Sequence, residues 1–159
     1  MRQNLLLLGF KKTKKAITFI ELVIVITIIG ILIGISIPQF KKTFDNFELE
    51  NFVKDIYYLS RYLQASAISQ GKIHYLNIDP GEGRFWATYK ENAEFKKIQG
   101  KFGNIYKTPK EVIISTDKAG IYFYPDGSMD EITIKFMNRQ YKNKISLIAK
   151  GASGDIKIQ

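Results

Sequence analysis

From Ile17 to Ile37 the chain runs through 21 residues of which fifteen are strongly apolar, the others being Thr18, Glu21, Thr27, Gly30, Gly34 and Ser36. As a helix the run is about 30 Å long, enough to cross the hydrocarbon core of a bilayer. A helix apolar on every side has no polar face to turn to water, so it needs lipid or other helices around it. A cleaved secretory signal is the competing reading. Its apolar region normally spans about 7–15 residues and closes on a small-residue site, whereas this run is longer and closes on Pro38-Gln39-Phe40. It therefore reads as a retained transmembrane segment over residues 17–38. Lys11, Lys12, Lys14 and Lys15 precede it and only Lys41 and Lys42 follow closely. That asymmetry places the N-terminus in the cytoplasm and the bulk of the chain across the membrane.

Lys and Arg number 24 and Asp and Glu 15, a formal charge of +9. Arg2 and the four lysines at 11–15 crowd the first sixteen residues, which hold no acid, so the remainder carries only +4. Much of the basicity is thus a terminal tag. Among the other residues, 39–131 are balanced, and 132–159 carry Lys135, Arg139, Lys142, Lys144, Lys150 and Lys157 against Asp155 alone. That C-terminal excess suits DNA phosphates, an acidic partner or an ordinary soluble face. An apolar content of 45% excludes a disordered chain. The absence of cysteine excludes disulfides, thiolate metal sites and a cysteine nucleophile. One histidine leaves little room for a catalytic triad or a histidine metal site.

Glu21 is the one charge in the run, and a carboxylate there costs several kcal/mol unless it is paired or reaches the headgroups. A free amine on Ile17, released by cleavage after Ala16, would supply a cation four residues away. Lys14-Lys15-Ala16-Ile17-Thr18-Phe19-Ile20-Glu21-Leu22 resembles the processing site of type IV prepilins and pseudopilins, with Ala16 where Gly is usual and Ile17 where Phe is usual. Pro38 falls at mature position 22, where that family commonly has a helix-kinking proline. The resemblance implies a leader over residues 1–16, cleavage between Ala16 and Ile17 and N-methylation of Ile17 by a prepilin peptidase. It implies assembly through Thr18, Glu21, Leu22 and Pro38, in the inner membrane, with the C-terminal domain periplasmic.

Beyond Pro38, Leu49, Phe52, Val53, Ile56, Leu59, Leu63 and Ala67 fall on one face of a helix, and Gly71 is its stop. One helix, kinked or briefly broken near Pro38, is predicted from about Thr18 to Gln70. From Gly71 the period becomes two. Ile73–Asp79 and Arg84–Lys90 flank the turn Pro80-Gly81-Glu82-Gly83. Glu91–Pro109 reads as loop with at most a short strand. Val112–Ser115, Ile121–Tyr124, Ile132–Phe136, the pair Ile145 and Leu147, and Ile156–Ile158 read as strands, with a turn at Pro125-Asp126-Gly127-Ser128. Six or seven short strands make an antiparallel sheet structure able to bury the helix stripe. These elements make the fold class α+β, and the prepilin resemblance implies a type IV pilin-like arrangement of them: a long N-terminal helix, transmembrane then amphipathic, packed on an antiparallel sheet. The globular domain is 39–159, helical over 39–70 and β-rich over 72–159.

Leu63-Gln64-Ala65-Ser66-Ala67-Ile68-Ser69-Gln70-Gly71 and Phe123-Tyr124-Pro125-Asp126-Gly127-Ser128 resemble segments of the GspH/FimT group of minor pseudopilins and minor pilins, with Ser66 where Arg is frequent. The function implied is that of a minor pseudopilin in a type II secretion pseudopilus. The alternative is a FimT/FimU-like minor type IV pilin in pilus assembly or DNA uptake. A rival from another class is a membrane-anchored enzyme or sensor, which would need an uncut N-terminus and a ligand pocket. The reading chosen is a non-enzyme without cofactor or metal. Its partners are other pseudopilins or pilins, the prepilin peptidase and the inner-membrane assembly platform, with nucleic acid ranked behind them.

Four further features read as structure. Asp126, Asp130 and Glu131 match no EF-hand spacing and suit a turn. His74 sits on a strand with no partner ligand. Gly81-Glu82-Gly83 is too short for a phosphate loop. Phe85, Trp86 and Tyr89 could form a ligand platform, but strand packing is the better reading.

Overall fold

A computed structural model describes residues 18–151 and 153–159. The leader boundary at residue 16 lies outside them. The chain divides into two compact units, one ending at Gln39 and the other Phe40–Gln159. One helix, α1, is assigned from Phe19 to Gln70, 52 residues, with no interruption at Pro38. It stops where expected: Gly71 takes φ +62°, the left-handed conformation that glycine enters without cost.

Nine strands follow among the described residues: β1 (His74–Asp79), β2 (Arg84–Glu91), β3 (Glu94–Lys97), β4 (Tyr106–Lys107), β5 (Val112–Ser115), β6 (Gly120–Phe123), β7 (Ile132–Asn138), β8 (Lys144–Lys150) and β9 (Asp155–Ile158). They form two antiparallel sheets, one ordered β3-β2-β1-β6 with β4 beside β2, the other β5-β7-β8-β9. The stretch 91–109, read from sequence as loop with at most a short strand, holds two short strands, β3 and β4, and a 3-10 turn at Lys101–Gly103. All four residues of β3 are exposed, so no apolar alternation marks it.

The helix stripe does what its spacing implies. Leu49, Phe52, Val53, Ile56, Leu59, Leu63 and Ala67 are all buried, in one core with the inward residues of both sheets. Three phenylalanines mark the junction. Phe52 of α1 stands 5.7 Å from Phe85 of the first sheet and 6.0 Å from Phe136 of the second, both edge-on. Phe85 and Phe136 are themselves 6.0 Å apart. Such contacts add about 0.5–1.5 kcal/mol each beyond the area they bury.

Candidate functional site

At the N-terminal end of α1 the described chain begins with Thr18. Its Oγ1 accepts a hydrogen bond from the Glu21 amide at 3.3 Å, and its carbonyl accepts the Leu22 amide at 3.1 Å. Thr18 is therefore the N-cap, and Thr18-x-x-Glu21 is the spacing of a capping box, a signal legible in the sequence and missed there. A cap fixes where this helix starts. It also sets a carboxylate in the first turn, where the helix dipole favours negative charge. Ala16 and Ile17 lie outside the described residues, as does the side chain of Pro38.

The helix from Phe19 to Ile37 is exposed along its whole length. Phe19 is 81% exposed and Ile35 67%, and none of its most apolar stretch is buried. By length and composition it can cross a membrane. Its two hydroxyls make no outward demand: Thr27 Oγ1 donates to the Val23 carbonyl at 2.8 Å and Ser36 Oγ to the Leu32 carbonyl at 2.7 Å. Glu21 is then the only side chain in the run that calls for a partner from outside it.

The basic C-terminal residues fall into two groups. The register pairs Ile134 with Leu147 and Ala149 with Ile156 on the buried side. Strand alternation then turns Lys135, Lys144, Lys150 and Lys157 to the outward face of the second sheet. Lys157 meets Asp155 at 3.1 Å, and Asp155 lies opposite Lys150. Arg139 and Lys142 belong instead to the β7–β8 turn, where Lys142 takes φ +56°.

The two segments that carry the GspH/FimT resemblance touch each other. Gln64, all but buried, donates from Nε2 to the Gly127 carbonyl at 2.9 Å and to the Gly154 carbonyl at 2.8 Å. The 125–128 segment is a turn: the Ser128 amide and hydroxyl both donate to Asp126 Oδ1, at 2.9 and 2.6 Å, and hold that carboxyl below its usual pKa. The Asp130 carboxylate accepts the Tyr124 hydroxyl at 3.2 Å. His74 is buried on β1, with Nδ1 3.1 Å from the Lys72 carbonyl, and burial pushes its pKa down. Phe85 is a core residue, while Trp86 is partly exposed on the opposite face of β2.

A profile of the prokaryotic N-terminal methylation motif matches residues 11–37. No curated protein matches the chain in sequence. Among solved structures, the minor pseudopilin EpsH from the type 2 secretion system of Vibrio cholerae superposes with a TM-score of 0.63 at 14% identity, over 70% of this chain and 96% of that one. A crystal structure of EpsH gives 0.60 at 14%, over 70% and 92%. The type IV minor pilin FimU of Pseudomonas aeruginosa gives 0.57 at 10%, over 72% and 90%. The chain carries a prepilin N-methylation motif on a type IV pilin-like α+β fold.

Proposed function

We propose that the chain is a minor pseudopilin of a type II secretion system, a structural subunit rather than an enzyme. In this reading a prepilin peptidase cuts between Ala16 and Ile17 and methylates Ile17. The anchor holds the subunit in the inner membrane, N-terminus in the cytoplasm and globular domain in the periplasm, until an assembly platform draws it into a filament with other pseudopilins. The observation that carries the reading is the exposed apolar run of the helix, Phe19 to Ile37, with one carboxylate in its first turn. An exposed apolar surface of that size needs lipid first and neighbouring helices later. Glu21 would pair with the Ile17 amine of the adjacent subunit, and removing one member of such a pair leaves the other uncompensated, at about 3–5 kcal/mol.

The test is the mass and N-terminal residue of the protein extracted from membranes, followed by crosslinking of a Glu21→Ala variant to its neighbours. N-methylated Ile17 together with normal insertion and weakened crosslinking is expected. An intact Met1 terminus defeats the reading. Normal processing with undiminished crosslinking removes Glu21 from assembly.

A second reading, a minor type IV pilin, is supported by the likeness to FimU and by the four lysines on one sheet face. It predicts salt-sensitive binding of duplex DNA that Lys144→Ala and Lys150→Ala weaken together. No binding at low salt counts against it.

A further inference from the structure

The outward face of the first sheet carries rings and cations in a pattern that the assembly reading leaves unused. Tyr75 lies opposite Thr88 on β2 and Tyr122 on β6, and Phe95 of β3 lies opposite Lys90. The rings meet above the strands: Tyr75 and Tyr122 at 4.3 Å between centroids, Tyr75 and Phe95 at 5.9 Å, Tyr122 and Tyr124 at 6.4 Å. Gly120 makes this possible. A Cβ there would stand 2.4 Å from the Tyr75 ring and 2.3 Å from the Leu76 carbonyl oxygen, so the ring lies where no other residue leaves room. On the same face, by strand alternation, are Trp86, two residues before Thr88, and Lys97, opposite Thr88. Arg84 there is paired with Asp79 at 3.1 Å, while Lys90 and Lys97 have no ion-pair partner among the described residues.

Cross-strand bracing accounts for Tyr75 against Tyr122. It does not account for Phe95, which stays 46% exposed, or for two unpaired lysines in the same rows. We propose that this face is a stacking surface for single-stranded nucleic acid. A single strand offers the two things the face can use: base π-faces for rings and phosphates for ammonium groups. The four successive strands β3-β2-β1-β6, with aromatic residues outward, have the width to stack two or three bases. The rings already hold one another in place, so little side-chain freedom is lost on binding. A duplex keeps its bases stacked inside and offers only phosphates. The lysine face of the second sheet differs in kind, since Ile113, Thr133, Met137, Ser146 and Ile148 stand among its lysines and no ring does.

Trp86 is the single tryptophan, so binding can be read on the full-length chain in detergent micelles without a label. A short oligothymidine is titrated at low and moderate salt, beside an abasic strand of the same length, the corresponding duplex and a neutral chitin oligosaccharide. The expected result is Trp86 quenching by oligothymidine, weaker at higher salt. The abasic strand and the duplex should bind roughly five- to a hundredfold less tightly. Phe95→Ala and Lys97→Ala should each weaken oligothymidine binding several-fold with unchanged far-UV circular dichroism, and Lys144→Ala should leave it as it was. Equal binding of the abasic strand, loss through Lys144→Ala instead of Phe95→Ala, quenching by the oligosaccharide alone, or no binding of oligothymidine would each overturn the proposal. None of these readouts depends on cleavage at Ala16, so the assembly reading stands or falls separately.

Discussion

Gln64 reaches Gly154 across 90 positions of chain, its Nε2 donating to the glycine carbonyl at 2.8 Å, and the same amide group donates to Gly127 at 2.9 Å. One side chain on the helix thus ties down the turn after β6 and the turn before β9. Gln64 is nearly buried and the two glycines are partly exposed, and an acceptor left unmet there costs about 1–3 kcal/mol. The amide does for these two turns what backbone pairing does for the strands.

Substitutions here should separate crowding from conformation. Gly154 has φ +62°, and a Cβ on it would sit 2.7 Å from both Gln64 Nε2 and the Gly127 carbonyl oxygen. Gly127 has φ +86°, but its Cβ would meet only Ile68 Cδ1 at 3.4 Å, an ordinary contact. Gly127→Ala should cost about 1 kcal/mol, the penalty of a left-handed non-glycine. Gly154→Ala should cost more, because it also displaces the amide, and Gln64→Ala should cost about 2–4 kcal/mol for two carbonyls left unmet. Urea midpoints of residues 40–159 rank the three, and equal losses at the two glycines would contradict the geometry.

The β2–β3 connection carries its own strain. Asn92 takes φ +49° and Ala93 φ +73°, a pair of left-handed residues in a two-residue hairpin turn. Asn-Gly is the usual dipeptide for such a turn. Ala93→Gly should therefore stabilise the domain by about 0.5–1 kcal/mol, since strain relief outweighs the freedom glycine gains in the unfolded chain. A lowered urea midpoint would mean that the turn relaxes in solution.

That turn also shows where sequence reading runs out. Glu91-Asn92-Ala93-Glu94 lacks the glycine that signals a hairpin, and β3 lacks apolar alternation, so the stretch reads as loop with at most a short strand and the hairpin is not seen. The strands with one buried face were visible by period alone: β7 reads Ile132, Ile134, Phe136 inward, and β5 matches its predicted limits. The split into two sheets was not visible, because alternation reports which residues face in and says nothing of which strands pair. The lysines of 132–159 were legible as an excess of charge, and only the β7–β8–β9 register sorts four of them onto one face. Ala16 and Ile17 rest on the motif alone.

The helix stripe predicts that residues 40–159 fold without the anchor, since every residue of the core belongs to that unit. Leu59 is fully buried at the middle of the stripe. Leu59→Asp should abolish folding of the fragment, as it both removes a packed side chain and buries a carboxylate with no partner. Tyr58→Asp, one residue along at a position 62% exposed, should leave it folded. Near-UV circular dichroism distinguishes them, and a folded Leu59→Asp fragment would mean the helix packs by another face.

His74 sets the pH response near neutrality. It is the single histidine, so no other side chain with an ordinary pKa titrates there. Burial pushes its folded pKa below the usual 6.5, and the neighbouring Lys72 charge pushes the same way against the opposing hydrogen bond from the ring to the Lys72 carbonyl. Above pH 6.5 the imidazole is neutral folded or unfolded, and pH does nothing through it. Between 6.5 and the lower folded value, the unfolded chain binds a proton that the folded chain refuses, so stability must fall as pH falls. Once the folded imidazole also protonates, the loss stops growing. Glu91 acts in a separate window. Lys72 and Lys96 hold its carboxylate at 2.5 and 2.7 Å and bring its pKa from 4.5 to about 2, so the stability it adds is intact above 4.5 and is lost only below that. Urea midpoints of residues 40–159 should accordingly be level from pH 8 to 7, decline as pH falls below 6.5, and decline again below 4.5. His74→Gln, which keeps a donor for the Lys72 carbonyl but cannot titrate, should flatten the first decline and leave the second. Glu91→Gln should reduce the second decline without removing it, since the Asp79 and Asp126 carboxyls are also held below their usual pKa, and should leave the first. A first decline that survives His74→Gln would assign it to another group and leave the buried imidazole without a part in the pH response.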